Sequence, residues 1–289
     1  MQRAPNSKAN LDRAIFRFAG SPVRETALRG EMANAIVAQM IGEGVVKGGS
    51  GLKFRFGEAV TRFTMDLDTA WMLGLDDFLS GLKSKLALDW NGFTGEVIVR
   101  KQGTPTGVPF AYVMQPCDVK LSYRGTAWYT VKLEIGHNEI GDADTYDLVE
   151  MPDEIKGLFE FLCIPVPNPI RAMKLEFQVA QKLHGATAIG SNRPHDLIDL
   201  QLIVGKHDLD YTLTRELCLK LFYYRRQQAW PPKVVKQSGW DEGYAAQKGE
   251  LEILSDVDEA IVWTNKLIAK IDSYSIYRAG TTTRSAGDR

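Results

Sequence analysis

A short alternating segment that ends in two aspartates constrains the fold most strongly. Residues 62–68 alternate between polar and apolar side chains and carry Asp66 and Asp68 at the end of the run. A period of two is typical of a half-buried strand, on which both aspartates project from the same face roughly 6.5 Å apart. Their carboxylates can therefore converge on one hard cation or on a close pair of cations, for which Mg²⁺ is the natural candidate. The alternative interpretation is an ordinary solvated strand face.

A glycine-rich turn precedes these aspartates. The apolar run that ends at Lys47 predicts a short strand, and Gly48, Gly49 and Ser50 predict a turn directly after it. Glycine has no Cβ, so the backbone N–H groups of such a turn can approach phosphate oxygens, and the Ser50 hydroxyl adds a donor. Lys47 and Arg55 are further phosphate-binding candidates by charge and location. The alternative interpretation is an ordinary turn, with Lys47 and Arg55 as surface cations.

Composition limits the class of protein. The chain has 289 residues and a formal net charge of −1, so it is long enough for two modest domains and has no global attraction to nucleic acid. Its three cysteines form no Cys-x-x-Cys motif, which indicates a reducing compartment and argues against structural zinc. The sequence shows no charged leader with an apolar core and no run of about 18 apolar residues. We therefore expect a soluble, cytoplasmic protein without membrane contact.

The order of predicted elements favours an α/β core followed by helices. Apolar residues at helical spacing predict one helix over residues 24–41, before the glycines, and another over residues 75–86, after the aspartates. Strands of a mixed sheet are predicted over residues 94–99, 119–123 and 128–135. Helices are predicted over residues 153–162, 173–188, 194–203, 212–226 and 257–271. We therefore place an α/β domain at residues 1–151 and an all-helical domain at residues 152–289.

Four sequence blocks resemble a known superfamily when they are taken in order. The blocks are residues 47–52, 64–68, 181–185 and 195–201. The set is similar to the DNA polymerase β-like nucleotidyltransferases, and within them to the AbiEii/AbiGii toxin family and its MenT-type relatives. The resemblance spans the chain from about residue 30 to about residue 275, and it implies a bilobed protein with a polymerase β-like core. The 15 residues between Ser50 and Asp66 form a longer spacer than this pattern usually has.

The resemblance also implies active-site residues in the helical half. Lys182 lies in an otherwise apolar helix, where a lysine commonly extends to solvent, but the resemblance implies that it contacts the triphosphate. Arg193 is a further phosphate-binding candidate. The resemblance assigns Asp199 to the active site, either as a base for the acceptor hydroxyl or as the group that positions Lys182. Asp196 is interpreted as a helix-start acid favoured by the helix dipole.

A third carboxylate is expected on a neighbouring strand, as in polymerase β-like enzymes. The resemblance implies Glu134 for this position, because two-metal phosphoryl transfer needs carboxylates that hold both ions. The alternative is an exposed surface pair of Lys132 and Glu134. The predicted catalytic residues are Asp66, Asp68, Lys182 and Asp199, and the predicted metal ligands are Asp66, Asp68 and Glu134.

A basic and aromatic stretch near residues 215–240 is the predicted RNA-binding surface. Its main cations are Arg225, Arg226, Lys233 and Lys236. Its aromatic residues are Phe222, Tyr223, Tyr224, Trp230 and Trp240. Cations that follow phosphates beside rings that stack on unpaired bases are typical of single-stranded RNA binding. The alternative is an amphipathic helix with its cations in water.

The resemblance implies an expected function. It is the Mg²⁺-dependent transfer of a nucleotide from an NTP to the 3′ end of tRNA, with release of pyrophosphate and arrest of translation. A cognate antitoxin is the expected partner, and the toxin is expected to be a monomer. Two alternatives stay open: a nucleotidyltransferase that acts on a small molecule, and a protein that binds nucleotide without turnover.

Overall fold

The computed structural model describes residues 3–72, 74–103 and 113–274. The chain forms two compact units, Met1–Lys174 and Leu175–Arg289. The predicted boundary after residue 151 therefore differs from the observed division. The reason is a short strand, Ile170–Met173, that pairs with two strands of the first unit and keeps the preceding residues there.

A seven-stranded mixed sheet organises the first unit. Its strands are β1 (Gly44–Lys47), β2 (Leu67–Trp71), β3 (Phe93–Val99), β4 (Gln115–Tyr123), β5 (Thr126–Gly136), β6 (Tyr146–Val149) and β7 (Ile170–Met173). They follow the spatial order β3-β4-β5-β2-β1-β7-β6. The β2/β5 and β1/β7 pairs are parallel and the other pairs are antiparallel, which confirms the prediction of a mixed sheet.

Helices cover the sheet of the first unit and build its core. They are α1 (Lys8–Ala19), α2 (Pro22–Met40), α3 (Gly48–Phe56), α4 (Leu75–Ala87) and α5 (Asp153–Phe161), with a 3₁₀ turn at Glu58–Val60. Ser7 and Ser21 cap the first two helices, each accepting a hydrogen bond from a backbone N–H group. The apolar faces of these helices pack with the inward side chains of the strands into one large core. Polar residues lie at the ends of two strands that contribute to this core: Lys47 ends β1, and Asp68 is the second residue of β2.

Two local predictions in this unit were wrong. Gly48, Gly49 and Ser50 form the first turn of α3 rather than a loop. Residues 62–66 lie outside any strand, and β2 begins only at Leu67. Consequently Phe63 and Met65, the apolar residues of that alternation, are 59% and 51% exposed.

The second unit is helical, as predicted. Its helices are α6 (Leu175–Thr187), α7 (His195–Lys206), α8 (Tyr211–Arg225), α9 (Trp240–Lys248) and α10 (Val257–Ser273). Sequence periodicity missed α9, which is short and places Trp240 and Tyr244 in the core. In the part of the chain that the structure describes, no helix is long and apolar enough to cross a membrane.

Candidate active site

Three polar residues of the first unit lie side by side across neighbouring strands. Lys47 on β1 is in register with Asp68 on β2, and Asp68 is in register with Glu134 on β5. Residues in register on adjacent strands project from the same face of a sheet, about 4.8 Å apart. We call these three residues the acidic site. The predicted third carboxylate is thus the direct cross-strand neighbour of Asp68.

The start of α3 closes one side of the acidic site. Gly48 has a left-handed backbone (φ +62°), and the carboxylate of Asp68 occupies the space that a side chain at position 48 would need. Gly136 likewise leaves room for the side chain of Lys47, because a Cβ at position 136 would lie 2.6 Å from Nζ of Lys47. The first N–H groups of a helix lack partners within the helix and attract anions. The start of α3 can therefore meet a phosphate next to the acidic site.

Other predicted residues of this region have structural contacts. Ser50 is only 2% exposed and donates its hydroxyl hydrogen to the backbone carbonyl of Asp66. Arg55 donates to the carboxylate of Asp147 at 2.7 Å and to the carbonyl of Met173 at 3.2 Å, so it joins α3 to β6 and β7. The side chain of Asp66 itself is exposed, directly before β2.

The donor set of the acidic site suits a hard divalent cation. Asp68 and Glu134 offer carboxylate oxygens, the ligands that Mg²⁺ prefers in proteins. Within residues 3–72, 74–103 and 113–274, no three His, Cys, Asp or Glu side chains come together as a metal cluster. Asp68 and Glu134, in register on adjacent strands, are the two carboxylates of the acidic site, and Asp66 lies two residues before Asp68.

Gly48→Ala tests this packing. Alanine in the left-handed region costs about 1–2 kcal/mol of unfolding free energy, and the new Cβ must displace the Asp68 carboxylate. We expect the nucleotide transfer that the sequence resemblance implies to slow by about a hundredfold, because small displacements of reacting groups have effects of that size. The control is Gly81→Ala, on a helical position with nothing within 4 Å, which should gain about 0.5–1 kcal/mol. A wild-type rate for Gly48→Ala in the same assay would contradict this role of Gly48.

A buried lysine and two aspartates form the corresponding cluster in the second unit. Nζ of Lys182 on α6 lies 2.5 Å from Oδ2 of Asp199 and 3.3 Å from Oδ1 of Asp196, both on α7. Lys182 is 5% exposed and both aspartates are fully buried. Nε of Arg193 donates to Oδ2 of Asp196 at 2.6 Å. We call these four residues the lysine cluster; here Lys182 does not extend to solvent.

Asp196 is more than the helix-start acid that the sequence suggested. Burial favours its neutral form, but the charges of Arg193 and Lys182 outweigh burial and hold the pKa of Asp196 well below its ordinary value. It therefore stays ionised and links the two cations. The sequence places Asp196 three residues before Asp199 on the same face of α7, but its burial against Lys182 depends on the packing of α6 on α7.

Arg225 contacts a buried histidine, His184, on α6, the helix that also carries Lys182. Nη1 of Arg225 is 3.1 Å from Nδ1 of His184, whose ring also packs edge-on against Phe222. Burial, together with the charges of Arg225 and Arg193, lowers the pKa of His184 to about 3. His184 is therefore neutral and accepts the hydrogen bond from Arg225.

This histidine should make the protein less stable in acid. Below about pH 6.5 the unfolded chain protonates His184 while the folded chain does not until about pH 3, so stability falls as pH falls through this window. At pH 5 the unfolding free energy should be lower by about 2 kcal/mol for this reason. Urea unfolding at pH 7.5 and pH 5 should show wild type losing about that much more than His184→Asn, whose amide oxygen can still accept from Arg225. Equal losses in wild type and His184→Asn would contradict the account.

The predicted RNA-binding residues have mixed surroundings. The guanidinium of exposed Arg226 lies over the ring of Tyr223, and Lys233 is exposed. Lys236 pairs with Asp241 at 2.7 Å and Asp258 at 2.9 Å. Phe222 and Trp240 are buried, so the exposed aromatic residues of this stretch are chiefly Tyr223 and Tyr224.

Comparison with known proteins identifies the family. A sequence profile described as "Nucleotidyl transferase AbiEii toxin, Type IV TA system" matches residues 28–263. Among solved structures, MenT4, a nucleotidyltransferase toxin from Mycobacterium tuberculosis H37Rv, is similar in fold: 16% identity, TM-score 0.53, covering 91% of this chain and 97% of that chain. JHP933 from Helicobacter pylori shares 17% identity with a TM-score of 0.47, over 86% of this chain and 93% of that chain. No match was found among curated protein sequences. Because the profile spans most of its length, the chain belongs to the AbiEii family of nucleotidyltransferase toxins of type IV toxin–antitoxin systems.

Proposed function

We propose that this nucleotidyltransferase moves NMP from an NTP to the 3′-hydroxyl of tRNA and thereby blocks translation in the cytoplasm. The observation that carries the proposal is the acidic site: Asp68 and Glu134 lie in register beside the helix start at Gly48. Carboxylates next to an anion-binding helix start are the groups that metal-assisted phosphoryl transfer requires. As a toxin of this family, the protein should act together with a cognate antitoxin.

The chemistry assigns a role to each predicted residue. The acceptor oxygen attacks the α-phosphorus, a P–O bond forms, the bond to the β-phosphate oxygen breaks, and pyrophosphate leaves. Asp68 and Glu134, with Asp66, would hold Mg²⁺, which neutralises the triphosphate when bound. Lys47 and the N–H groups at Gly48 and Gly49 bind phosphate oxygens. For the second unit, the resemblance implies phosphate binding by Lys182 and Arg193, and it implies that Asp199 either accepts the proton of the acceptor hydroxyl or positions Lys182.

An RNA acceptor fits the exposed cations of the second unit. Arg226 and Lys233 are exposed, and Tyr223 and Tyr224 offer rings for stacking. A small-molecule acceptor is the second candidate. It is favoured by the pairing of Lys236 with two aspartates, which offsets the charge of one predicted RNA-binding cation.

Labelling of total RNA tests the proposal. Purified protein is incubated with Mg²⁺, total cellular RNA and each of the four α-labelled NTPs in turn, and the products are separated by size. We expect label in the tRNA fraction with at least one nucleotide. RNA pre-treated with periodate, which destroys the 3′-terminal diol, is the matched control and should stay unlabelled. Absence of labelling with all four nucleotides would remove the RNA-acceptor proposal.

A further inference from the structure

The long spacer between α3 and β2 exposes two large apolar side chains shortly before β2, the strand that carries Asp68. Phe63 and Met65 lie in residues 62–66, which join the 3₁₀ turn at Glu58–Val60 to β2. Both side chains are more than half exposed. Two exposed apolar side chains on one segment offer a ligand a local apolar surface.

The backbone of this segment is fixed from the inside. Three consecutive carbonyls accept hydrogen bonds from buried or half-buried side chains of α2 and α3: Thr64 from Lys53 at 3.4 Å, Met65 from Asn34 at 3.4 Å, and Asp66 from Ser50. Carbonyls that are bonded to side chains are not available to a strand partner. The segment is therefore held in place without joining the sheet, and Phe63 and Met65 face solvent.

Two glutamates hold Lys53, the residue that donates to the carbonyl of Thr64. Lys53 is buried; its Nζ contacts a carboxylate oxygen of Glu58 and lies 3.5 Å from Oε1 of Glu31. Burial, together with a hydrogen bond to Glu58, raises the pKa of Glu31 to about 9, so Glu31 is neutral at pH 7. The same ammonium lies 5.4 Å from the centroid of the Phe63 ring, a cation–π contact that orients the ring.

The segment also packs against the helix start where phosphate is proposed to bind. A Cβ at Gly49 would lie 3.0 Å from Nη2 of Arg62 and 3.2 Å from Cβ of Thr64. Phe63 lies between these two residues in the chain. The Phe63 ring also contacts Lys53 of the same helix. A nucleotide whose phosphates meet the start of α3 has its base tethered to them by a single ribose, so the base can reach this segment.

We propose that Phe63 and Met65 form a stacking platform for the base of the incoming NTP. The proposal deepens the proposed function and rests on it. Two side chains match the face of one base, whereas a protein partner requires about 800 Å² of surface per partner. Base–aromatic stacking tolerates different bases because every base has a π-face. The platform should therefore raise affinity for all four NTPs.

Binding of nucleotide and of tripolyphosphate to the same variants tests the platform. Equilibrium binding is measured with Mg²⁺ and without RNA, for each NTP and for inorganic tripolyphosphate, which has the phosphates but no base. Phe63→Ala should weaken NTP binding by about 5- to 100-fold and leave tripolyphosphate binding unchanged. Phe63→Trp should restore NTP binding to within about twofold of wild type. Phe16→Ala, which removes a 47% exposed phenylalanine from α1, should change neither.

Each other outcome overturns the assignment. If Phe63→Ala binds NTP as tightly as wild type, or loses NTP and tripolyphosphate affinity equally, the ring does not stack on the base. If NTP affinity is unchanged while RNA labelling at saturating NTP falls, the platform belongs to the acceptor instead. A wild-type protein that binds no NTP overturns the proposed function as well, which separates the two failures.

Discussion

Replacing Asp68 by asparagine is expected to slow nucleotidyl transfer by about a thousandfold or more, with little effect on folding. Asparagine keeps the shape of the side chain next to Gly48 but removes the negative charge that the proposed Mg²⁺ needs. Asp68 is only half buried, at the beginning of β2, so the unfolding free energy should change by no more than about 1 kcal/mol. Label transfer from α-labelled NTP gives the rate, and urea unfolding gives the stability.

A matched aspartate in the same unit serves as the control. Asp76 is exposed in the first turn of α4, and Asp76→Asn removes the same charge from the unit without touching the acidic site. It should transfer nucleotide at the wild-type rate. Loss of toxicity on expression should follow the same order, with Asp68→Asn harmless and Asp76→Asn toxic. An Asp68→Asn protein that keeps its rate would show that this carboxylate takes no part in the chemistry.

Lys182→Met is expected to destabilise the second unit by about 3–5 kcal/mol. Methionine fills much of the same space, but Asp199 then stays fully buried without the ammonium 2.5 Å away, and Asp196 keeps Arg193 and the more distant ring of His195. A buried charge without its partner is costly, whereas a neutral pair is not. Urea unfolding should therefore show that Lys182→Met combined with Asp199→Asn recovers much of the loss.

Activity tests the phosphate contact that is proposed for this lysine. Lys182→Arg keeps the charge between the two aspartates, so most of the stability should remain. A guanidinium is larger and planar, so a phosphate contact made by the compact ammonium should be lost and transfer should slow by about tenfold or more. If Lys182→Met unfolds within about 1 kcal/mol of wild type, the lysine cluster is not the ion-pair network described above.

Residue patterns predicted the regular elements but not the contacts between distant segments. The helix over residues 24–41 and the strands over residues 119–123 and 128–135 follow from local spacing, and all three are present. The alternation over residues 62–68 was misleading, because the carbonyls there bond to Lys53, Asn34 and Ser50. These donors lie 11 to 31 residues away, beyond any local pattern.

For the candidate site too, the sequence suggested some residues, whereas only contacts between distant segments defined others. The register of Asp68 and Glu134 makes them neighbours, which resemblance to a family suggested and spacing alone did not. Asp196 was underrated because a first-turn aspartate is commonly a surface acid, and only the packing of α6 on α7 buries it against Lys182. Strand β7 was missed because its four residues carry too short a pattern, and it is defined by pairing with β1 and β6.

The phosphorus atom that reaches the acceptor tests the central claim most directly. The purified protein is given Mg²⁺, total RNA and the preferred NTP labelled either at the α-phosphate or at the γ-phosphate. Nucleotidyl transfer should move the α label into acid-insoluble RNA and release the γ label as pyrophosphate, and Asp68→Asn should do neither. Transfer of the γ label to the acceptor, or retention of both labels in intact NTP, would contradict the account.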